Sequence, residues 1–506
     1  MKKTNRKILF GLLAAVMLIS SCKKDYLDVN DDPNRVTDDN ITPELIFTQA
    51  AVTTGIRIVG GQAGGEGGKT DVQFAMNWVG YMSGTGDFAL DGEESSYNIG
   101  FAFADNSWQR DYALLFSLYQ VKTKALAKNN QLLAGAAMIL SAKVFQEMAD
   151  AFGDIPYSQA FQPDKYGKPA YDKQEDIYAA LQASLDQAIG YMKNNNATIA
   201  FQNADIVNHG DTDKWIKFAN TLKLRLLIRQ SEIAGFNPAA EIAKIQAEGG
   251  VLGAGESVSV NPGYSNSQNK QSPFYGNYGF GPTGNVTAAG IAANEYVLNI
   301  LLSTQDPRVE RFFTDVGGNY VGCVYGLSAG NPFGPQSSYF GPGLNGSAEQ
   351  SQWLMPSFES LFFKAEAIAR GWMPGDAKTA MEDAIKESFE WLGVTGAPQA
   401  AADYITANDA IANYDNAGPT AKDKAKFIAV QKYIAMCCID PREAWADIRR
   451  LDMLEDHSYI SVNPARLQDM LPVRLLYPQR EYTTNGENVQ KQGTINQFTS
   501  KLFWQQ

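Results

Sequence analysis

Residues 210–225 read Gly-Asp-Thr-Asp-Lys-Trp-Ile-Lys-Phe-Ala-Asn-Thr-Leu-Lys-Leu-Arg. An acidic entry leads into Trp215, Phe218, Leu222 and Leu226, three or four residues apart, which makes one apolar stripe of a helix; Lys223, Arg225 and Arg229 lie on another face. Just upstream, Asp172-Lys173-Gln174-Glu175 has the arrangement of a capping box, and Ile177, Leu181, Leu185 and Ala188 form a second stripe. Residues 172–234 therefore read as two helices that bury their apolar faces on one another.

The pattern recurs on both sides. Trp108, Tyr112, Leu115, Tyr119 and Leu126 give one stripe, and Leu133, Met138, Ala142, Phe145, Ala149 and Phe152 another after the Asn129-Asn130 break. Phe152-Gly153-Asp154-Ile155-Pro156 ends that pair, with a left-handed cap expected at Gly153. Two more pairs are expected over 356–392 and 421–455. Small residues (Ala365, Ala367, Ala369, Gly371, Ala380, Ala384) stand where helices press together, and Asp440-Pro441-Arg442-Glu443 caps the last helix. Four helix pairs with Trp or Tyr early and Ala late are tetratricopeptide-like, because each hairpin buries its face only against the next. The fold class expected is all-α, a superhelical scaffold of such pairs.

Two regions break the pattern. Residues 249–351 are rich in Gly, Pro, Asn and Ser yet full of aromatics, and only 286–302 reads as helix. So long an irregular stretch is functional or disordered, and the aromatics argue against disorder. At the other end, Thr42-Pro43-Glu44 opens a helix to about residue 59, a glycine-rich mobile loop is expected over 60–68, and 71–82 reads as a further helix.

The N-terminus carries an address. Four basic residues in 1–7, an apolar run over 8–19 and Ile19-Ser20-Ser21-Cys22 make a signal peptide (1–21) whose cut exposes a cysteine for lipidation. The run is shorter than the roughly 20 residues of a membrane span. Residues 22–40 read as an acidic flexible tether, and 41–506 as a single helical domain.

Removing 1–21 leaves 39 basic against 55 acidic residues, which argues against nucleic acid and against docking on anionic lipid. Cys323 and the Cys437-Cys438 pair have neither disulfide-framework nor zinc spacing, and His209 and His457 stand alone in polar contexts. No metal or other cofactor is called for. The Arg-rich helices are expected to make internal ion pairs, and Trp215 and Trp445 to be core.

Taken together, the chain resembles the SusD/RagB family of surface lipoproteins. The residues that carry the likeness are Cys22 with the 28–34 run, the 152–157 turn, 210–225, Lys364-Ala365-Glu366-Ala367, Glu443-Ala444-Trp445-Ala446-Asp447-Ile448-Arg449-Arg450, and Tyr477-Pro478 with Glu481 and Asn485. The resemblance implies a non-catalytic nutrient-binding subunit, lipid-anchored on the outer membrane. It would act as the lid of a TonB-dependent, SusC-like transporter and capture glycan, or in some members peptide. Lys24-Asp25 partly resembles the surface-export signal of such lipoproteins, with Tyr26 departing from it.

Sugar sites stack aromatic faces on pyranose rings and bond hydroxyls through Asn, Asp, Gln and Arg. Two stretches offer both: Asn77, Trp78, Tyr81 and Phe88, and then Tyr275, Asn277, Tyr278, Tyr320, Tyr325 and Tyr339. Paired carboxylates of a glycosidase or lyase are a rival reading, since their separation is spatial. A bare repeat scaffold would leave the aromatic stretch unexplained.

Overall fold

The computed structural model describes residues 41–60 and 72–505. The signal peptide, Cys22, the tether and most of the glycine-rich loop lie outside the described residues. Among the described residues the chain from Pro43 onward is mostly helical, with four short strands.

Helix α1 (Pro43–Ile58) packs on α2 (Asp105–Ala127), and α2 on α3 (Gln131–Phe152). Next come α4 (Gln174–Lys193) on α3, and α5 (Thr212–Arg229) on α4. The third pair is α6 (Ser357–Ala369) with α7 (Ala377–Leu392), and the last is α8 (Ala421–Ala435) with α9 (Pro441–Leu451). The helix pairs read from sequence are therefore present. The last is the loosest, because α8 lies chiefly along α6 rather than on α9. Helix α3 is apolar and long enough to cross a membrane, but nearly all of it is buried inside the body, which makes it a core helix.

The opening stretch folds as its residues dictate. Asp211 caps α5 by accepting from the Lys214 amide at 2.9 Å, while the Trp215 indole donates to Asp205 at 2.7 Å. Asp205 also accepts from the amides of Val207, Asn208 and Gly210, so one buried carboxylate fixes the turn and the tryptophan together.

Behind this stretch the helix pairs are joined by buried charge. Arg225 bridges Glu147 of α3 (3.0 Å) and Glu443 of α9 (2.8 Å). Arg229 reaches Glu443 (2.5 Å) and Asp150 (3.1 Å), and Lys432 of α8 pairs with Glu443 and Asp447. Arg450 grips Glu366 of α6 through two parallel bonds of 2.6 and 2.8 Å. Arg225, Arg229 and Arg450 are thus the struts between pairs, whereas Arg449 donates to the backbone carbonyls of Trp445, Asp150 and Val473 over the Trp445 ring. Trp215 and Trp445 are core, and all three described cysteines are buried and free.

Four local expectations need correction. Asp172 does not cap α4: its carboxylate accepts from the Tyr157 and Ser158 amides, and the Gln174 amide turns to Asp154 at 3.0 Å. Gly153 has the expected positive φ of 85°, but its ψ of −132° is extended rather than left-handed helical. The helix expected over 71–82 is only Gln73–Trp78, and β1 (Met82–Gly84) follows it. The helix expected over 286–302 runs Glu295–Ser303, capped by Asn294, because Ile291–Ala293 is a strand.

That strand organises the irregular region. Strand β2 (Val258–Val260) pairs antiparallel with β4 (Gln352–Met355), pinning the insertion at its base. Between them β3 (Ile291–Ala293) pairs antiparallel with β1, Met82 opposite Ala293 and Gly84 opposite Ile291. Two segments two hundred residues apart in sequence are thereby brought edge to edge.

Candidate functional site

Beside the β1–β3 pair lies a cleft of about 420 Å³, lined by residues from 73–95, from 286–291, and by Tyr325 and Leu327. The helix Gln73–Trp78 sets its inner wall. Trp78 turns inward, fully buried, stacked on Phe103 at 5.9 Å and edge-on to Trp445. Asn77, one residue earlier, lines the cleft instead.

A short helix, Gly92–Ser95, capped by Asp91, presents Glu94 to the same wall. Glu94 accepts from the Asn77 amide at 2.6 Å and from the Tyr325 hydroxyl at 3.4 Å, while its backbone carbonyl takes the Trp78 indole. The contact with Glu94 forces the Asn77 amide nitrogen toward the carboxylate. Its Oδ1 is left buried with no hydrogen-bond partner among the described residues. Burial, with the Glu94 carboxylate beside it, pushes the Tyr325 phenol well up, so it stays a donor.

The rim is tied rather than loose. Asp87 accepts from Thr85 Oγ1 (2.9 Å) and from the Gly334 amide (2.6 Å). Asn331 bonds both ways with the Val324 backbone at 2.9 Å and donates to the Gly84 carbonyl at 3.0 Å. On this frame Phe88 stands 65 % exposed, and Val286 and Leu327 are exposed near it. An exposed aromatic face held on a rigid turn is a platform for an apolar face. Asp91 and Glu94 give the lining its charge, and among the described residues no Lys or Arg lines it.

Of the residues singled out from sequence, Asn77, Phe88 and Tyr325 meet in this cleft. Trp78 and Tyr81 lie behind it, and the Tyr81 hydroxyl donates to the Tyr433 carbonyl while Tyr433 donates to that of Val79. The others are elsewhere. Tyr278 is buried against Phe274 and Phe340 and bonds the Val59 carbonyl, Asn277 is buried, and Tyr275 faces Phe280. Tyr339 meets Phe340 edge-on, and Tyr320 is half-buried away from the cleft lining. Sequence reasoning missed Gln73, Glu94 and the 286–291 wall. The Asp91-x-x-Glu94 spacing of a helix start was a signal for Glu94; nothing local marked the wall, which is defined by strand pairing.

A family profile described as starch-binding and associating with the outer membrane, that of SusD-like proteins, matches residues 47–478. The chain belongs to the SusD-like family. Solved SusD-like structures share its fold. A SusD homolog from Bacteroides fragilis is 21% identical over 92% of this chain and 100% of its own, with a TM-score of 0.72. A chitin-binding SusD homolog from Flavobacterium johnsoniae is 24% identical over 90% of this chain and 98% of its own, at 0.71. A SusD-like protein from Bacteroides thetaiotaomicron is also 24% identical over 90% and 98%, at 0.70. No curated protein matches the sequence.

Proposed function

We propose that this SusD-like protein is a non-catalytic, lipid-anchored protein of the outer-membrane surface that captures oligosaccharide in the cleft. It then passes the glycan to a TonB-dependent, SusC-like transporter, over which it acts as a lid. The observation that carries the binding role is the pairing of an exposed ring, Phe88, with a buried unpartnered acceptor, Asn77 Oδ1, in one cleft. A buried acceptor without a partner costs about 1–3 kcal/mol, and a sugar hydroxyl that donates to it recovers that cost. The ring supplies the stacking face. The family description and the chitin-binding relative support glycan as the ligand class.

The carboxylates argue for binding rather than hydrolysis. Asp87 ties the rim, Asp91 caps a helix, and Glu94 holds Asn77 and Tyr325. Each is engaged as a structural acceptor, which leaves no acid and base pair across the cleft among the described residues.

The test is a screen of the unlipidated chain from Lys23 against glycans and peptides, with every mixture analysed for cleavage. Glycan binding without cleavage is the expected result. Binding of peptides alone would replace the ligand class, and cleavage would overturn the reading in favour of a surface hydrolase or lyase.

A further inference from the structure

A second cavity, about 210 Å³, opens among α2, α3 and α4 under the loop that follows the 152–156 turn, and it shares no lining residue with the cleft. Its walls are largely apolar, and Tyr119, Phe145, Tyr157 and Phe161 supply aromatic rings among the aliphatic side chains. Phe161 has a φ of 65°, a conformation that a bulky residue keeps only when its surroundings hold it. Its ring packs 5.6 Å from Tyr119 and 5.9 Å from Phe116, and Phe145 meets Tyr157 edge-on at 4.7 Å.

Into this aromatic space comes one cation. Lys122, three residues after Tyr119 and so on the same helix face, lines the cavity half-buried, its ammonium 5.5 Å from the Tyr119 ring centroid. It has no carboxylate and no hydrogen-bond acceptor among the described residues. The buried lysines of the body are otherwise matched: Lys143 with Glu147, Lys223 with Asp186, Lys432 with Glu443. Burial lowers the Lys122 pKa with nothing to oppose it, as expected of a desolvated cation lacking its anion. Ser141, Ser184 and Gln162 add hydroxyl and amide groups to the same walls.

We propose that this cavity is a second ligand site, for one acidic pyranose, a uronic acid residue whose carboxylate pairs with Lys122 and whose ring lies against the aromatic walls. The volume falls below the roughly 300 Å³ at which pockets for drug-sized ligands begin, so it holds one ring rather than a chain. The hydroxyls and amide suit a sugar and would be wasted on an acyl chain. Charge separates the two sites: among the described residues the cleft lining carries carboxylates and no cation, and would repel an acidic sugar that Lys122 attracts.

The experiment is saturation-transfer NMR on the full-length chain in detergent, titrated with D-glucuronate, D-glucose and N-acetylphenylalanine. Glucuronate binding is expected to weaken about tenfold in Lys122→Met, since a charge-assisted hydrogen bond is lost. It is expected to persist in Lys122→Arg and in Phe88→Ala, the latter a cleft variant whose effect is on neutral oligosaccharide. Because Lys122→Met removes a cation that has no carboxylate partner among the described residues and keeps an apolar stem beside Tyr119, its thermal midpoint should stay close to that of the parent. Glucuronate binding indifferent to Lys122→Met overturns the proposal. So does displacement of glucuronate by lower concentrations of N-acetylphenylalanine, which would make the cavity a reader of peptide-type carboxylates.

Discussion

Phe88 packs against Gly290: a Cβ added at residue 290 would fall 2.9 Å from Cδ2 of the ring. The glycine lets the N-terminal rim and the strand-borne wall of the insertion close on each other, and it sets the tilt of the exposed platform. Gly290→Ala should therefore displace the ring and weaken glycan binding about fivefold, and Phe88→Ala should do at least as much. Since the ring is mostly solvent-exposed, the melting temperature should barely move. Calorimetric titration beside thermal unfolding checks both; a variant that loses stability but keeps affinity would make the contact a packing detail.

The helix pairs depend on buried ion pairs, and these fix the response to acid. Burial alone would raise the Glu366 carboxyl, but Arg450 and Arg370 overcome it and hold the carboxyl down at about 2. A carboxyl held below its unfolded value of 4.5 contributes fully above that pH and loses the contribution as pH falls toward the native value. Glu366→Gln leaves two buried guanidinium groups short of charge and should cost about 3 kcal/mol at pH 7. Urea unfolding at pH 7 and pH 3 should show that gap narrowing in acid. A constant gap would mean that Glu366 does not act through its charge.

Glu359 behaves oppositely. Burial pushes its carboxyl up to about 7, a rise opposed by Arg225 and reinforced by Glu443 and Asp440. The stability tied to its neutral form is whole below 4.5 and is lost as pH rises through about 7. Glu359→Gln should therefore unfold at a temperature equal to or above the parent at pH 8, with the parent gaining on it near pH 5. Parallel melting curves from pH 5 to pH 8 would contradict this.

Cys22→Ala tests the anchor. Cell fractionation should find the parent with the outer membrane and the variant in the soluble fraction, unlipidated. Equal membrane retention would sink the lipidation claim.

Most of the helical body was legible because its signals are local. The stripe of Trp215, Phe218, Leu222 and Leu226, and the caps Asp211 and Asp440, act within one or two turns of chain. What escaped was decided by partners far away. Residues 288–293 have enough alanine to read as helix, yet 291–293 pair with Met82–Gly84 as strand. Asp172 has the spacing of a cap but is claimed by the amides of Tyr157 and Ser158. The aromatics divided for the same reason. Tyr278 and Phe88 look alike in sequence, and only packing against Phe274 and Phe340 makes the first core while the second remains a platform.

The measurement that bears most directly on capture is a crystal structure of the chain with the oligosaccharide that the binding screen selects. The account predicts an intact sugar with one ring stacked on Phe88 and a hydroxyl donating to Asn77 Oδ1. A glycan found away from the cleft, or one cleaved in place, would contradict it.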